Sequence, residues 1–400
     1  MPNSGPLAGV RVIDLTMWIQ GPIAATLLAD LGADVIKVEK AGVGDHGRSL
    51  QSVYGVDMRQ GDSPHLLWTV CNRNKRALAL DLRHAEARPV FEALVKSADV
   101  FVTNLMMEPL LQFDAHEEAV RALNPKIVYA RASGFGERGP WADDPCQDTL
   151  GMAYAGLLMT CSPDGKEPYY PPGAMSDVLS GTMLAFGILA ALRERDRTGA
   201  GQYVGTSQLQ TLMWMQTLNF GAVANLKQSF EFSDRRNPPN PMFNTYLCGD
   251  GRWMALGMAV QAMWPVFCEQ VGRADLIDDA RYATMALRRT NARDLVKEFD
   301  AMFLTQPREH WLQRMRAQHL WVGPINRVED LLADDQVRAN GYVLTLDNGW
   351  QTPGMPFALR GHEPGAAPGP EHGVDTDAVL RELGFDEEAI GRLRVGGAIW

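Results

Sequence analysis

The residues with the clearest chemical potential lie in Pro171-Pro-Gly-Ala-Met-Ser-Asp-Val-Leu-Ser-Gly181, where Asp177 is the only charge. The apolar run after it predicts a long helix starting there. An aspartate at a helix start can cap free N–H groups, and the helix dipole steadies its charge. The same dipole keeps a carboxylate ionised in an apolar pocket. Once desolvated and aimed, such a carboxylate is a competent nucleophile toward activated acyl groups. Gly173, Ala174 and Gly181 leave room beside it for the reacting carbon of a bulky ligand. Cap and nucleophile are therefore the two readings of Asp177.

Other motifs carry less. Asp148, in Asp144-Pro-Cys-Gln-Asp148, precedes an amphipathic stretch and reads as an N-cap. The histidines (His46, His65, His84, His116, His310, His319, His362 and His372) all lie outside apolar, glycine-rich contexts, so no nucleophile–histidine pair is indicated. Cys71, Cys146, Cys161, Cys248 and Cys268 form no CxxC pair and no metal-ligand spacing. Scattered free thiols fit a reducing cytoplasm. Gly134-Phe-Gly136-Glu-Arg-Gly139 spells the dinucleotide fingerprint. A fingerprint needs a helix opening inside it, and here Pro140 to Pro145 reads as a loop. The turn Gln20-Gly21-Pro22, with Glu39 downstream, is a more natural nucleotide position. It has one glycine, however, and Pro22 has no N–H to offer a phosphate. In Asn72-Arg-Asn-Lys-Arg76, three cations precede a strand, as a solvated loop or as a clamp for an anionic ligand.

The elements that must hold these residues alternate. Val10–Thr16, Ala33–Glu39, Arg76–Leu82, Asp99–Asn104 and Lys126–Ser133 read as strands, and Pro22–Gly32 and Glu86–Ala98 as helices. Pro22 would be the first helical residue and Gly32 the stop. Such alternation predicts an α/β fold with a parallel, doubly wound sheet. A helix over about 177–195 carries Gly181, Ala185, Gly187, Ala190 and Ala191, which admit a neighbouring backbone. A short strand and another apolar helix follow. Asp234–Asn244 is a proline-rich connector. Two further helices, within Met258–Gly272 and Asn291–Gln306, suit a smaller α+β domain. Thr376–Gly384 reads as the closing helix.

At 400 residues, the chain exceeds the usual size of one core. The expected division is a large domain over 1–225, a small domain over 226–325 and a return segment over 326–400. The net charge of −10 disfavours nucleic acid. The N-terminus shows no leader pattern. The most apolar window, Val178–Leu192, is too short to span a membrane, so no membrane partner is expected.

Several stretches together resemble family III CoA transferases, the CaiB/BaiF group, which includes formyl-CoA transferase, carnitine CoA-transferase and the α-methylacyl-CoA racemases. They are LAGVRVIDLTMWIQGPIAATLLADLGADVIKVEK, NRNKRALALDL, ADVFVTN, NPKIVYARASGFGERGP, SDVLSGTMLAFGILAALRERDRTGAGQYV, GPINRVEDLLADDQVRANGY and PEHGVDTDAVLRELGF. They run in family order over nearly the whole chain. The resemblance implies a Rossmann-like large domain whose parallel sheet is formed from both chain ends, with an inserted small domain. It also implies a homodimer of interlocked rings.

The resemblance further implies the chemistry. Asp177 falls on the nucleophile that attacks an acyl-CoA thioester, giving a mixed anhydride and then an aspartyl-CoA thioester. A small carboxylic acid is the acceptor. No cofactor is held permanently, and coenzyme A enters as part of the substrate. The racemase branch uses a His-Asp pair, and its histidine falls on Gln147, which cannot take a proton from carbon near neutral pH. Racemisation is therefore the disfavoured alternative, with Asp148 left to orient the site. CoA contacts fall on Ile19, Gln20, Lys40, Leu80, Arg83, Asn104 and Leu105. Lys75 and Arg76 would serve the phosphates as point charge and fork. Two features depart from the family. Leu105-Met-Met-Glu-Pro109 replaces an Arg-Pro-Gly, and Gln112 stands where an arginine is common. No glycine-rich lid sequence lies near 240–260, which argues against formate and oxalate. Trp18, Met152, Tyr154, Met159, Tyr169 and Tyr170 are candidate pocket residues.

Overall fold

The computed structural model describes residues 5–59, 65–230 and 234–400. Met1–Ser4, part of the stretch read for a leader, lie outside it. The chain divides into two compact units. The larger comprises Met1–Leu158, Tyr170–Gln228 and Gly341–Trp400, and the smaller Met159–Tyr169 and Ser229–Asn340.

The larger unit is built on six parallel strands: β1 (Arg11–Leu15), β2 (Asp34–Glu39), β3 (Arg76–Ala79), β4 (Val100–Thr103), β5 (Val128–Ser133) and β6 (Tyr203–Ser207). Their order is β3-β2-β1-β4-β5-β6, that of the doubly wound Rossmann sheet. Neighbouring strands are in register through pairs such as Ile13↔Ile36 and Ile13↔Phe101. The inner strands place apolar residues on both sides, as a sheet covered on both faces requires. One face presents Ile13, Ile36, Leu78, Phe101 and Tyr129. The other presents Val12, Val35, Val100, Val128 and Ala130.

Helices α1 (Gln20–Asp30) and α2 (Ala87–Ser97) cover opposite faces. α1 begins at Gln20, so Pro22 is its third residue, still within the turn whose N–H groups need no helical partner. α3 (Asp148–Tyr154) is short. α4 (Met175–Thr198) is long and ends on Gly199 in the left-handed region, φ 75°. It packs against α1, β5 and β6. A Cβ at Gly181 would lie 2.3 Å from the carbonyl oxygen of Gln20, so glycine is what permits the α1–α4 crossing. The helix is longer than the expected 177–195. By length and composition alone it could cross a membrane, which corrects the reading of that window as too short. Its buried stripe, including Ser180, Gly181, Leu184, Ile188 and Leu192, faces the core. α5 (Gln208–Met215) follows β6 directly and is capped by the Ser207 hydroxyl.

The smaller unit holds β7 (Phe243–Leu247), β8 (Trp253–Gly257) and β9 (Val322–Pro324), antiparallel in the order β9-β8-β7. Helices α6 (Met263–Gln270), α7 (Ala292–Phe303) and α8 (Arg308–Arg316) complete it. Its core is aromatic, around Tyr246, Trp264, Phe267, Phe299 and Phe303. The unit extends to 340, past the expected boundary at 325, and also takes in Met159–Tyr169.

The C-terminal segment corrects another expectation. The six sheet strands all come from the first 207 residues of the chain. The segment instead contributes α9 (Thr376–Glu382) and α10 (Glu387–Val395), which pack on the α2 face through Val379, Leu380, Ile390 and Leu393. Their apolar residues recur at helical spacing, which no strand would accommodate. Its only bridge to the main sheet among the described residues joins Ile399 to Leu80. Thr376–Gly384 is consequently not the last helix.

Candidate active site

Ligands of doubly wound sheets gather beyond the carboxyl ends of the strands, where the strand order reverses. Here that point lies between β1 and β4. The Asn104 side chain, just past β4, holds the loop after β1 by accepting from the Met17 N–H and donating to its carbonyl, both at 2.8 Å. The next residue, Trp18, is left-handed at φ 67°, stacked on His46 and bonded through its N–H to Asp45. Gln20 then enters α1 buried, and its amide donates to the carbonyl of Ser133, the last residue of β5, and to the Ser180 hydroxyl of α4. The ends of β1, β4 and β5 are thus tied to the first turns of α4.

Asp177 lies in that first turn. Its own side chain does not cap the helix. Ala174 is the N-cap residue, left-handed at φ 54°, and has no side chain to do so. The cap comes from Asp148, whose Oδ1 accepts from the Ser176 N–H at 2.7 Å, the Ser176 hydroxyl at 2.8 Å and the Asp177 N–H at 3.2 Å. Asp148 is buried, and its other oxygen accepts from the Tyr170 hydroxyl. The N-cap expected of Asp148 is therefore delivered to α4 and not to its own helix, where Gln147 takes the cap position.

This arrangement frees the Asp177 carboxylate. Its Oδ1 accepts from Gln208 Nε2 at 2.6 Å. Burial pushes its pKa up to about 7, the Asp148 charge adds to the rise, and the Gln208 hydrogen bond opposes it. Gln208 is buried and is the first residue of α5. Its Oε1 accepts from the Cys146 thiol at 3.1 Å. A Cβ at Gly151 would stand 2.4 Å from that oxygen, so only glycine in α3 lets Gln208 lie there. Gly134 plays a similar part, since a Cβ there would collide with the Cys146 side chain. The glycine of the apparent fingerprint thus serves packing, and the residues after it form a loop.

Gln208 was not legible in the sequence. The available signal was a polar residue at a strand-to-helix junction on the carboxyl edge of a parallel sheet. Gln147 is exposed, and its carbonyl accepts the first N–H groups of α3.

The expected CoA contacts separate into two groups. Ile19, Gln20, Lys40, Leu80, Arg83, Asn104 and Leu105 all lie beyond the carboxyl ends of strands. Of these, Lys40 is exposed and Arg83 half-exposed beside Asp81, while Leu80 is buried and Ile19 and Leu105 partly so. Lys75 and Arg76 stand at the opposite, amino end of β3. Arg76 pairs with Asp34 and Glu382. Lys75 is sealed in the core, donating to Asp14, Asn72 and the carbonyls of Pro22 and Cys71. Arg73 is buried against Asp30 at 2.6 Å. Both readings of Asn72–Arg76 are corrected for Arg73 and Lys75, which neutralise the internal carboxylates of Asp30 and Asp14, while Arg76 is partly exposed in pairs with Asp34 and Glu382. Met152 belongs to the core and not to a pocket wall. A groove of about 650 Å³, lined by Met183, Val204, Trp214 and Phe220, lies further along α4. Among the described residues no cluster of His, Cys, Asp and Glu could hold a metal.

Comparison with known proteins decides the family. The model described as CoA-transferase family III matches residues 7–376. The chain belongs to CoA-transferase family III. Relatives of this CoA-transferase include (R)-2-hydroxy-4-methylpentanoate CoA-transferase of Clostridioides difficile, 30% identical over 97% of this chain and 98% of that one. Succinyl-CoA:glutarate CoA-transferase of Mus musculus is 30% identical, covering 98% of this chain and 90% of that one. Among solved structures, a CaiB/BaiF family protein from Brucella suis superposes with a TM-score of 0.85 at 26% identity, covering 95% of this chain and 99% of that one.

Proposed function

We propose that this CoA-transferase moves CoA from an acyl-CoA donor to a carboxylic acid through covalent intermediates on Asp177. The observation that carries the reading is a partly buried carboxylate at a helix start that does not cap its helix and, among the described residues, is held by one oxygen only, through Gln208. Asp177 Oδ2 adds to the thioester carbonyl, the C–S bond breaks and CoA thiolate leaves, giving a mixed anhydride. The thiolate then adds to the aspartyl carbonyl and expels the donor acid. The acceptor carboxylate displaces CoA from that thioester, and the thiolate finally attacks the acceptor acyl carbon, restoring Asp177. Splitting one difficult transfer into such steps is the advantage of covalent catalysis.

Burial serves this chemistry by stripping water from the nucleophile. Asp148 serves it by satisfying the helix start, so that Asp177 need not. Lys40 and Arg83 are the accessible cations for the CoA phosphates, with Gln20 and Asn104 shaping the loop beside them. The reading includes a homodimer in a reducing cytoplasm, with no tightly held cofactor. The racemase alternative lacks its base, since Gln147 occupies that position.

Separating CoA thioesters by chromatography, with a panel of donors and acceptor acids, tests the proposal. Wild-type protein is expected to form acceptor-CoA, and Asp177→Asn to lose at least roughly 1,000-fold in rate. Exchange of the acyl α-proton for deuterium without transfer would instead support the isomerase reading.

A further inference from the structure

We infer that Gln208 is a catalytic residue, the oxyanion donor for the two steps that take place at the Asp177 carbonyl. The inference rests on Asp177 carrying the covalent intermediates.

The cycle has four tetrahedral intermediates. In the first and last, the attacked carbon belongs to the substrate acyl group, and the negative oxygen is the substrate's. In the second, CoA thiolate adds to Asp177 Cγ of the anhydride. In the third, the acceptor carboxylate adds to Cγ of the aspartyl thioester. In both, the carbonyl electron pair moves onto the aspartyl oxygen that did not form the ester bond. Collapse of the second expels the donor acid as its carboxylate, and collapse of the third expels CoA thiolate. The oxygen bonded to Gln208 is Oδ1, so an attack through Oδ2 leaves Oδ1 as the carbonyl oxygen of every aspartyl intermediate. The donor is then already at hydrogen-bond distance from the atom on which charge develops.

The amide is built for this role. Gln208 is 2% exposed, so water does not compete for it. An amide placed between two partners could in principle present either end. The Cys146 thiol donates to Oε1, which turns the NH₂ toward Asp177. Burial pushes that thiol up to about 11, so it keeps its proton at neutral pH and remains a donor. The Ser207 cap fixes the start of α5, and Gly151 leaves the space the side chain occupies. A group needed only to neutralise Asp177 would be a cation. A neutral donor leaves the carboxylate nucleophilic and still serves the oxyanion.

The test is a single-turnover experiment with donor acyl-CoA alone and an acid quench. Free CoA then reports the anhydride, and protein-bound CoA reports the aspartyl thioester. In wild type, bound CoA should follow free CoA quickly. In Gln208→Met, free CoA should appear at most about tenfold more slowly, because losing the bond that lowers the Asp177 pKa leaves less of it ionised, with bound CoA formed roughly 100- to 1,000-fold more slowly. Circular dichroism checks folding. If the methionine variant does not fold, Cys146→Ala, which leaves Gln208 present but free to turn, should slow the same step by roughly fivefold. Bound CoA at the wild-type rate in a folded Gln208→Met protein overturns the inference. So does an equal slowing of both steps, which would make Gln208 a positioning residue for the nucleophile. Failure of wild type to bind CoA covalently with any donor would instead overturn the Asp177 reading beneath it.

Discussion

Asp177 combines three conditions that a capping aspartate would not: partial burial, a like charge on Asp148 nearby and a single hydrogen-bond donor on one oxygen. Its pKa of about 7, above the ordinary carboxylate value of 3.8, means the native state binds a proton more tightly than the unfolded chain. That contribution to stability is complete below about pH 3.8 and is lost as pH rises through 7. At pH 8 the ionised carboxylate therefore opposes folding. Asp177→Asn is expected to be about 1–3 kcal/mol more stable than wild type at pH 8, with the difference shrinking toward pH 4. Thermal melts at both pH values check this. The acid limb of kcat/KM should lie near pH 7 in wild type. In Asp148→Asn, which removes the neighbouring charge, it should move to lower pH. At this scale the sequence showed Asp177 as an isolated charge, and it showed Gln147 where a base would be needed. It did not show Gln208, because that contact crosses from α5 to α4 and is permitted by a glycine in α3.

Among elements, the site depends on three helix starts, those of α3, α4 and α5, each supplying one residue: Asp148, Asp177 and Gln208. Replacing Gly151 by alanine raises helix propensity in α3. The new Cβ would nevertheless meet Gln208 at 2.4 Å and push its amide aside. A roughly 10- to 100-fold fall in kcat is expected, with far-ultraviolet circular dichroism unchanged, since small displacements of a positioned group are costly. The strands and long core helices were legible as apolar runs of strand or helix length bounded by glycine, proline and charged residues. Helix α4 was read about two residues late at its start, since its cap belongs to a distant aspartate. The second helix after Gly373 is hard to see in the sequence because its buried stripe is only Ile390 and Leu393, although Asp386 caps it and Glu387 and Glu388 suit its first turn.

The whole molecule shows where local reading of charge fails. Cations in Asn72–Arg76 resemble a surface clamp when only neighbours in sequence are considered. Folded, Lys75 and Lys37 share Asp14 inside the larger unit, and Lys37 also meets Asp45 at 2.9 Å. Burial alone would lower the Lys37 pKa, but Asp14, Asp45 and Glu39 outweigh it and hold the lysine charged. Lys75→Met should cost about 3 kcal/mol by removing one of the two cations on buried Asp14, which keeps Lys37 and the Thr16 hydroxyl, measurable by urea titration. The α/β class and the parallel sheet were evident from strand–helix alternation. The assignment of Met159–Tyr169 and of residues 326–340 to the smaller unit was not.

The most direct measurement is the mass of the peptide holding Asp177 after incubation with acyl-CoA donors in the absence of acceptor. An adduct of CoA less water on that peptide, absent from Asp177→Asn, is the predicted result. CoA binding without any adduct on Asp177, across all donors, would contradict the account.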